Sequence, residues 1–127
     1  MNITEVRDIF IGTDIVEISR IRSSIDRTGQ RFLDRIYTVL EQKYCRSKSY
    51  PEIHYAGRFA AKEAITKAIG GRSPNLKNIQ IINDRNGTPY VDIIPDPVFL
   101  SPSLRISISH VKKYAIAIAY IGPLAHN

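Results

Sequence analysis

The sequence predicts an α+β domain in which helices pack on an antiparallel sheet. The first half of the chain carries apolar residues at helical spacing, and its longest helical stretch covers about residues 51–69. The second half instead holds short runs in which apolar and polar residues alternate, as in half-buried strands. Helices first and strands later, without regular alternation of the two, favour an antiparallel sheet. We expect residues 1–127 to form a single domain.

The chain opens with a predicted short strand, Ile9–Gly12, followed by a helix. Isoleucines at positions 15, 18, 21 and 25 are spaced for one helical face, and Gly29 is a suitable stop. Thr38 followed three residues later by Glu41 matches the capping-box pattern, which predicts a helix that starts at Thr38.

The longest predicted helix runs from about Pro51 to Ile69 and ends at Gly70-Gly71, where left-handed backbone geometry is available. It is rich in alanine, which is a strong helix former. Alanines stand at positions 60, 61, 64 and 68. Such small side chains let another backbone or a ligand approach the helix closely.

Strand patterns follow the long helix. The run NIQIIND alternates imperfectly, and Asn86-Gly87 predicts a tight turn before the strand-rich run PYVDII. In LRISISH, Leu104, Ile106 and Ile108 share one face of a predicted strand that ends at His110. The run YAIAIAYI comes after a short turn, so these two runs are expected to pair as an antiparallel hairpin.

Composition limits the classes of function. Hydrophobic residues make up 43% of the chain and charged residues 24%, which excludes a disordered chain. No apolar run approaches the ~18–20 residues of a membrane span, and the N-terminus lacks a signal-peptide pattern, so we expect a cytoplasmic protein. The single cysteine, Cys45, excludes an internal disulfide and a cysteine-based zinc cluster. The net charge of +6 predicts an anionic partner: nucleic acid, a membrane surface, a phosphorylated substrate or an acidic protein.

Two carboxylates are candidates for a metal site. Asp14 is predicted just after the first strand and before a helix, where it would be either a helix cap or a metal ligand. On the long helix Phe59, Glu63 and Lys67 fall on one stripe, and Glu63 with Lys67 is also an ordinary surface ion pair. Cations at positions 58, 62 and 67 surround Glu63 in the sequence, a pattern that suits a metal ion with a polyphosphate.

The other candidate functional residues carry weaker sequence signals. His110 at a strand end is either a structural residue or a phosphate donor and proton carrier. Ser107 and Ser109 share a strand face with no nucleophile elbow around them, which argues against a serine hydrolase. The turn at Asn86-Gly87 reads as structural, and P-loop, GxGxxG and HExxH patterns are missing from the sequence.

Four segments, taken in order, resemble the motifs of one family. They are IGTDIVEISRI, RFAAKEAITKAIG, NDRNGTPYV and ISISHVKKYAIAIA. The first resembles a Gly-x-Asp with an arginine six residues later, and the second a Lys-Glu-Ala-x-x-Lys-Ala helix. The third resembles an Asn-Asp-x-x-Gly-x-Pro turn, and the fourth a Ser-x-Ser-His strand. Together they resemble the holo-acyl-carrier-protein synthase family, the small trimeric branch of the 4′-phosphopantetheinyl transferases, over nearly the whole chain.

This resemblance implies a single half-fold of the phosphopantetheinyl transferase type and a role for each site residue. Asp14 and Glu63 would coordinate Mg²⁺, and Lys67, the third catalytic residue, would contact the pyrophosphate of the substrate coenzyme A. Lys62 would lie near the pyrophosphate, and Arg58 and His110 would be further coenzyme A contacts. The acidic acyl carrier protein would dock on the arginines of a basic helical surface: Arg20, Arg22, Arg27 and Arg31.

The same resemblance implies the reaction and the assembly. A serine hydroxyl of the carrier protein would attack the β-phosphate of coenzyme A and release 3′,5′-ADP, as a step of fatty acid biosynthesis. Glu63, Asp14 and a metal-bound water are the candidates for general base. A homotrimer with active sites at subunit interfaces is expected, without nucleic acid or membrane partners.

Two alternatives stay open at this point. A basic nucleic-acid-binding module would explain the charge, but the strands lack the aromatic stacking motifs of RNA binders. A broader transferase that serves polyketide or peptide synthases would usually be about twice this length, with two fused half-folds.

Overall fold

The computed structural model describes residues 9–70, 75–93 and 104–122. Its elements in chain order are β1 (Phe10–Glu17), α1 (Ile18–Thr28), α2 (Gln30–Ile36), α3 (Val39–Arg46), α4 (Pro51–Ala68), a 3₁₀ turn (Leu76–Asn78), β2 (Gln80–Asn83), β3 (Pro89–Ile93), β4 (Arg105–His110) and β5 (Tyr114–Ile121). The predicted α+β class is therefore confirmed. Gly71, part of the predicted stop of the long helix, lies outside the described residues.

The main sheet is antiparallel and has the strand order β1-β5-β4. The predicted hairpin of β4 and β5 is confirmed, with His110 opposite Ala115 at its closed end. The central strand β5 also pairs with β1 along its whole length, from Phe10 opposite Ile121 to Glu17 opposite Tyr114. The first and last described strands are thus neighbours.

Helix α4 packs on one face of this sheet through small residues. Ala60, Ala64, Ala117 and Ala119 are buried together between the helix and β5. A Cβ atom placed on Gly12 would lie 1.9 Å from the backbone oxygen of Ala64, so only glycine permits this approach. The alanines of the long helix therefore let a backbone approach closely, as the sequence indicates, and that backbone is β1.

Two further units complete the fold. Strands β2 and β3 form a separate antiparallel pair, and the buried side chains of Ile79 and Ile81 join it to the core beneath α4. Helices α1 to α3 cover a second core in which the hydroxyl of Tyr37 donates to the backbone oxygen of Tyr55 at 2.7 Å.

The N-terminal elements depart from the sequence prediction. The strand does not end at Gly12 but continues to Glu17, and the helix begins only at Ile18. Ile15, which fits a helical spacing, lies in β1 opposite Ile116. Ladder hydrogen bonds to β5 satisfy the backbone of this segment, so tertiary pairing overrides the local periodicity.

The helix boundaries at Gly29 and Thr38 agree with the sequence. Gly29 has a φ of 54° and ends α1, although α2 begins directly after it and was not predicted. The capping box is formed: the backbone N–H of Thr38 donates to Glu41 Oε1 at 2.8 Å, and that of Glu41 donates to Thr38 Oγ1 at 3.3 Å. The cap fixes where α3 starts.

The other face of the three-stranded sheet, which we call the outer sheet face, carries large apolar side chains. Alternate residues of β1 and β5 point away from α4. The large apolar residues among them are Ile11, Ile15, Tyr114, Ile116, Ile118 and Tyr120. Ile11 and Ile15 are each 62% exposed. Such a patch is unusual on an isolated soluble domain. Among the described residues, no helix combines the length and the apolar character that crossing a membrane requires.

Candidate functional site

Asp14 lies within β1, not at a strand–helix junction as the sequence suggested. Its register partner on β5 is Ala117, which is buried beneath α4, so Asp14 points to the helix-covered face of the sheet. Its side chain is 17% exposed. The helix-cap interpretation of Asp14 is wrong, because the residue at the N-cap of α1 is Glu17 and its side chain makes no capping hydrogen bond.

Helix α4 brings Lys67 to Asp14. The ammonium of Lys67 donates to Asp14 Oδ1 at 3.2 Å and to the backbone oxygen of Thr13 at 3.0 Å. The Lys67 side chain is 57% exposed, so one side of this ion pair is open to solvent. Lys67 therefore links the helix to β1 at the position of Asp14.

Glu63 lies one helical turn before Lys67 and faces the same place. The pKa of Glu63 is raised, first by burial and then by the negative charge of Asp14, while Lys67 acts in the opposite direction. Two carboxylates thus approach each other with one ammonium between the strand and the helix. We call Asp14, Glu63 and Lys67 the carboxylate site.

The carboxylate site fits a magnesium ion better than a zinc ion. Among the described residues, no group of three or more His, Cys, Asp or Glu side chains could hold a metal. Two carboxylates are enough side-chain ligands for Mg²⁺, because this ion takes its remaining ligands from phosphate oxygens and water. A protein zinc site needs three or four side-chain ligands. The donors present therefore fit Mg²⁺ when a polyphosphate is also bound.

A second group of cations surrounds the N-terminal half of α4. The guanidinium of Arg58 stacks on the ring of Tyr44 at 4.1 Å and donates to Asn83 Oδ1. Arg58 is buried, and its Nε has no hydrogen-bond partner among the described residues. The ammonium of Lys48 lies 4.8 Å from the centroid of the same Tyr44 ring.

Two histidines complete this group, which we call the Arg58 cluster: Tyr44, Lys48, His54, Arg58 and His110. His54 contacts Tyr44 edge-on at 5.7 Å. The pKa of His54 is lowered by burial and then by the nearby charges of Arg58, Lys48 and His110. Cations that disfavour one another's charge are stabilised by an anion, so the Arg58 cluster is suited to a phosphate group.

The sequence prediction missed Tyr44, Lys48 and His54. His54 and Arg58 are four residues apart on α4, a spacing that places them on one side of the helix, and this pair was the available local signal. Tyr44 lies on α3, and Lys48 lies beyond the end of that helix at Arg46. That these two residues and His110 meet the pair depends on the packing of α3 and β4 against α4.

Lys62 is not brought to the carboxylate site. Its side chain is fully buried and forms an ion pair of 2.6 Å with the fully buried Glu41. The predicted gathering of Lys62 around Glu63 is therefore wrong as geometry, because Lys62 projects into the protein interior. Burial lowers the pKa of Lys62, and the charge of Glu41 opposes that shift.

The four arginines expected to contact a partner are all on the surface. Arg20, Arg22 and Arg27 lie on α1, Arg31 lies on α2, and all four are exposed. Arg20 and Arg27 line an open groove of about 370 Å³ together with three serines: Ser19, Ser23 and Ser24. Arg22 is engaged at 3.1 Å by Glu52. The surface of α1 is thus basic and polar.

Comparison with known proteins identifies relatives over nearly the whole chain. The 4′-phosphopantetheinyl transferase superfamily matches residues 10–119. The holo-[acyl-carrier-protein] synthase of Protochlamydia amoebophila is 52% identical over 114 residues, covering 86% of this chain and 93% of that protein.

Two solved structures extend the match to the fold. The holo-[acyl-carrier-protein] synthase of Neisseria meningitidis superposes with a TM-score of 0.81 at 30% identity, covering 90% of this chain and 98% of that one. The Helicobacter pylori enzyme in complex with coenzyme A gives a TM-score of 0.77 at 32% identity, with coverages of 86% and 96%. The family resemblance carried by the four sequence motifs is therefore confirmed.

Proposed function

This chain belongs to the 4′-phosphopantetheinyl transferase superfamily, and we propose that it acts as a holo-[acyl-carrier-protein] synthase. The enzyme transfers 4′-phosphopantetheine from coenzyme A to a serine of an apo acyl carrier protein. The observation that carries the residue assignment is the carboxylate site, where β1 and α4 bring two carboxylates and a lysine together.

The reaction replaces a phosphoanhydride bond of coenzyme A with a phosphoester bond to the carrier protein. The serine oxygen of the carrier protein forms a bond to the β-phosphorus of coenzyme A, and the bond from that phosphorus to the bridging oxygen breaks. The bridging oxygen leaves with 3′,5′-ADP, and the serine proton passes to a base. The nucleophile belongs to the partner, so the enzyme needs no serine nucleophile of its own.

Asp14 and Glu63 are proposed to hold Mg²⁺ against the pyrophosphate of coenzyme A. When bound there, the ion would supply positive charge to offset the charge that develops on the phosphate oxygens. The ammonium of Lys67 contacts Asp14 and is partly exposed, so it can also donate to the phosphate oxygens of the ligand. Glu63, Asp14 and a metal-bound water are the candidates for the base that takes the serine proton.

The Arg58 cluster is proposed to bind the 3′-phosphate of the same coenzyme A molecule. Arg58 and Glu63 are five residues apart on α4, so they differ by roughly 7–8 Å along the helix axis and also point to different sides of it. Coenzyme A carries a pyrophosphate and a separate phosphate on its ribose, so one ligand that extends around the helix could reach both anion sites. The unpartnered Nε of Arg58 and the charges around His54 support the assignment.

The basic surface of α1 and α2 is proposed to receive the carrier protein. Exposed arginines steer an acidic partner toward a site, and their effect is weakened by salt. Together with the phosphates of coenzyme A, this partner accounts for the net charge of +6 without a nucleic acid. We place the reaction in fatty acid biosynthesis in the cytoplasm, where these substrates are used.

We also propose that the protein is a homotrimer whose active sites lie at subunit interfaces. The outer sheet face supports this, because its isoleucines and tyrosines are uncovered by the described residues. A chain of 127 residues also gains stability from burying such a patch against another copy. Sedimentation of a fully active monomer would contradict the shared sites.

The direct experiment is mass spectrometry of an apo acyl carrier protein after incubation with this enzyme and coenzyme A. We expect the carrier to gain one phosphopantetheine when Mg²⁺ is present and to stay unmodified when the metal is chelated. A carrier whose acceptor serine is replaced by alanine is the matched control. Modification that proceeds equally without a divalent ion would refute the metal assignment.

A further inference from the structure

One pair of buried charges has no part in the transferase chemistry. Glu41 on α3 and Lys62 on α4 are both fully buried, and their charged atoms lie 2.6 Å apart. Lys62 is the residue directly before Glu63. The surroundings of this pair indicate what it does for the carboxylate site.

The ammonium of Lys62 is saturated by protein acceptors. It donates to Glu41 Oε1 at 2.6 Å, to the backbone oxygen of Ile36 at 2.6 Å and to that of Leu76 at 3.1 Å. An ammonium has three N–H groups, so none is left for a ligand. Lys62 thus joins α4 to the end of α2, to α3 and to the segment that leads into β2.

The carboxylate of Glu41 is equally engaged. Its Oε1 also accepts the backbone N–H of Thr38 at 2.8 Å, and its Oε2 accepts that of Ile81 at 2.9 Å. The same side chain therefore closes the cap of α3, anchors β2 and binds Lys62. Because every donor and acceptor is satisfied, the pair holds these elements in one arrangement.

This arrangement fixes the rotation of α4 about its axis. Successive side chains on a helix point about 100° apart, so an anchored Lys62 sets the direction of Glu63. On another side, the missing Cβ of Gly12 lets the helix backbone touch β1 at Ala64. A rotation of α4 by about 20° would move a carboxylate at the helix surface by about 2 Å, enough to spoil metal coordination.

We propose that Glu41 and Lys62 are positioning residues that aim Glu63 at Asp14, an inference that rests on the proposed metal-dependent function. Lys62 acts through Glu63 and does not touch coenzyme A. The pair should therefore control metal affinity and turnover while leaving the affinity for coenzyme A in the absence of metal unchanged.

The test uses the full-length protein and the double variant Glu41→Gln/Lys62→Met. Replacing both charges leaves no uncompensated ion in the interior, so the double variant should be more stable than either single variant. We expect its kcat to fall at least tenfold and its affinity for Mn²⁺, followed by electron paramagnetic resonance, to fall at least fivefold. Its dissociation constant for coenzyme A, measured without a divalent ion, should stay within twofold of wild type.

The control is Leu33→Ala, which removes buried apolar volume from the second core without removing a charge. It should lower stability but keep wild-type Mn²⁺ affinity and kcat, which separates positioning from general destabilisation. If the double variant does not fold, Glu41→Gln/Lys62→Gln takes its place, because it also leaves no buried charge and its amide keeps a donor to the acceptors of Lys62. The same loss of Mn²⁺ affinity is expected from it.

Two results would overturn the proposal. A folded double variant with wild-type Mn²⁺ affinity and kcat would show that the pair only stabilises the fold. A raised KM for coenzyme A with unchanged Mn²⁺ affinity would show that Lys62 contacts the substrate. If wild-type enzyme binds Mn²⁺ but does not modify a carrier protein, the proposed function fails, while the Mn²⁺ measurement still decides the positioning role.

Discussion

The two lysines of α4, Lys62 and Lys67, are five residues apart on one helix and occupy opposite environments. Lys62 is fully buried with three protein acceptors, whereas the Lys67 side chain is 57% exposed and contacts β1 at Asp14. The same contrast separates Glu41, enclosed in the interior, from Glu63, half-buried beside a second carboxylate. Chemical type alone does not assign a charged residue to a site, because the element that packs against it decides its role.

The sharpest way to break this comparison is to remove each lysine in turn. Lys62→Met leaves the charge of Glu41 buried without a partner and should lower the free energy of unfolding by about 3–5 kcal/mol. Lys67→Met removes a solvent-screened pair and should change it by less than about 1 kcal/mol. Urea unfolding followed by circular dichroism measures both. Equal losses for the two variants would mean that the burial of Lys62 does not govern its contribution.

Glu63→Gln should have a large effect on activity and little effect on stability, the opposite of a buried-charge substitution. Loss of one metal-binding carboxylate is expected to reduce kcat by about 100- to 1000-fold, the scale seen when one electrostatic contact to a transition state is lost. Unfolding should be unaffected, since a half-buried carboxylate beside Asp14 does not stabilise the fold. Asp92→Asn, which removes an exposed carboxylate bonded to Gln80, is the control and should retain activity. Near-normal turnover by Glu63→Gln would contradict the assignment of Glu63 as a metal ligand.

How far the sequence predicts these roles depends on the range of the interactions involved. The long helix, the capping box at Thr38 and the β4–β5 hairpin are local patterns, and all were predicted. The length of β1, and with it the position of Asp14, depends on pairing with β5 and was predicted wrongly. The opposite environments of Lys62 and Lys67 could not be predicted from the sequence. Both lysines occur in one run, KEAITK, and only the packing of α4 decides which of them is buried.

The Arg58 cluster offers a smaller and more selective effect. His110→Ala removes one donor near a bound phosphate and should raise KM for coenzyme A about tenfold, with kcat nearly unchanged. The decisive comparison is with dephospho-coenzyme A, which lacks the 3′-phosphate. The substitution should then have no further effect on KM. An equal tenfold increase with both substrates would place the 3′-phosphate elsewhere.

The weakest expected effect concerns the carrier protein. Arg20→Glu on the exposed face of α1 should raise KM for the carrier a few-fold at low salt, because long-range attraction is reduced. The difference from wild type should shrink at high ionic strength, where screening removes that attraction. Arg85→Glu, at the exposed turn after β2, makes the same charge change and serves as the control. If both substitutions act alike, net charge rather than a docking surface is responsible.

The register of β1 against β5 has a consequence for how the enzyme is made. Asp14 is held opposite Ala117, near the other end of the described chain, whereas Glu63 belongs to a helix formed by local contacts. During synthesis α4 can therefore form on the ribosome while β1 still waits for its partner strand. Asp14 is fixed opposite Glu63 only after β5 has emerged, so a nascent chain that still lacks β5 should lack the carboxylate site. A chain truncated before Tyr114 would keep the helix and lose the site.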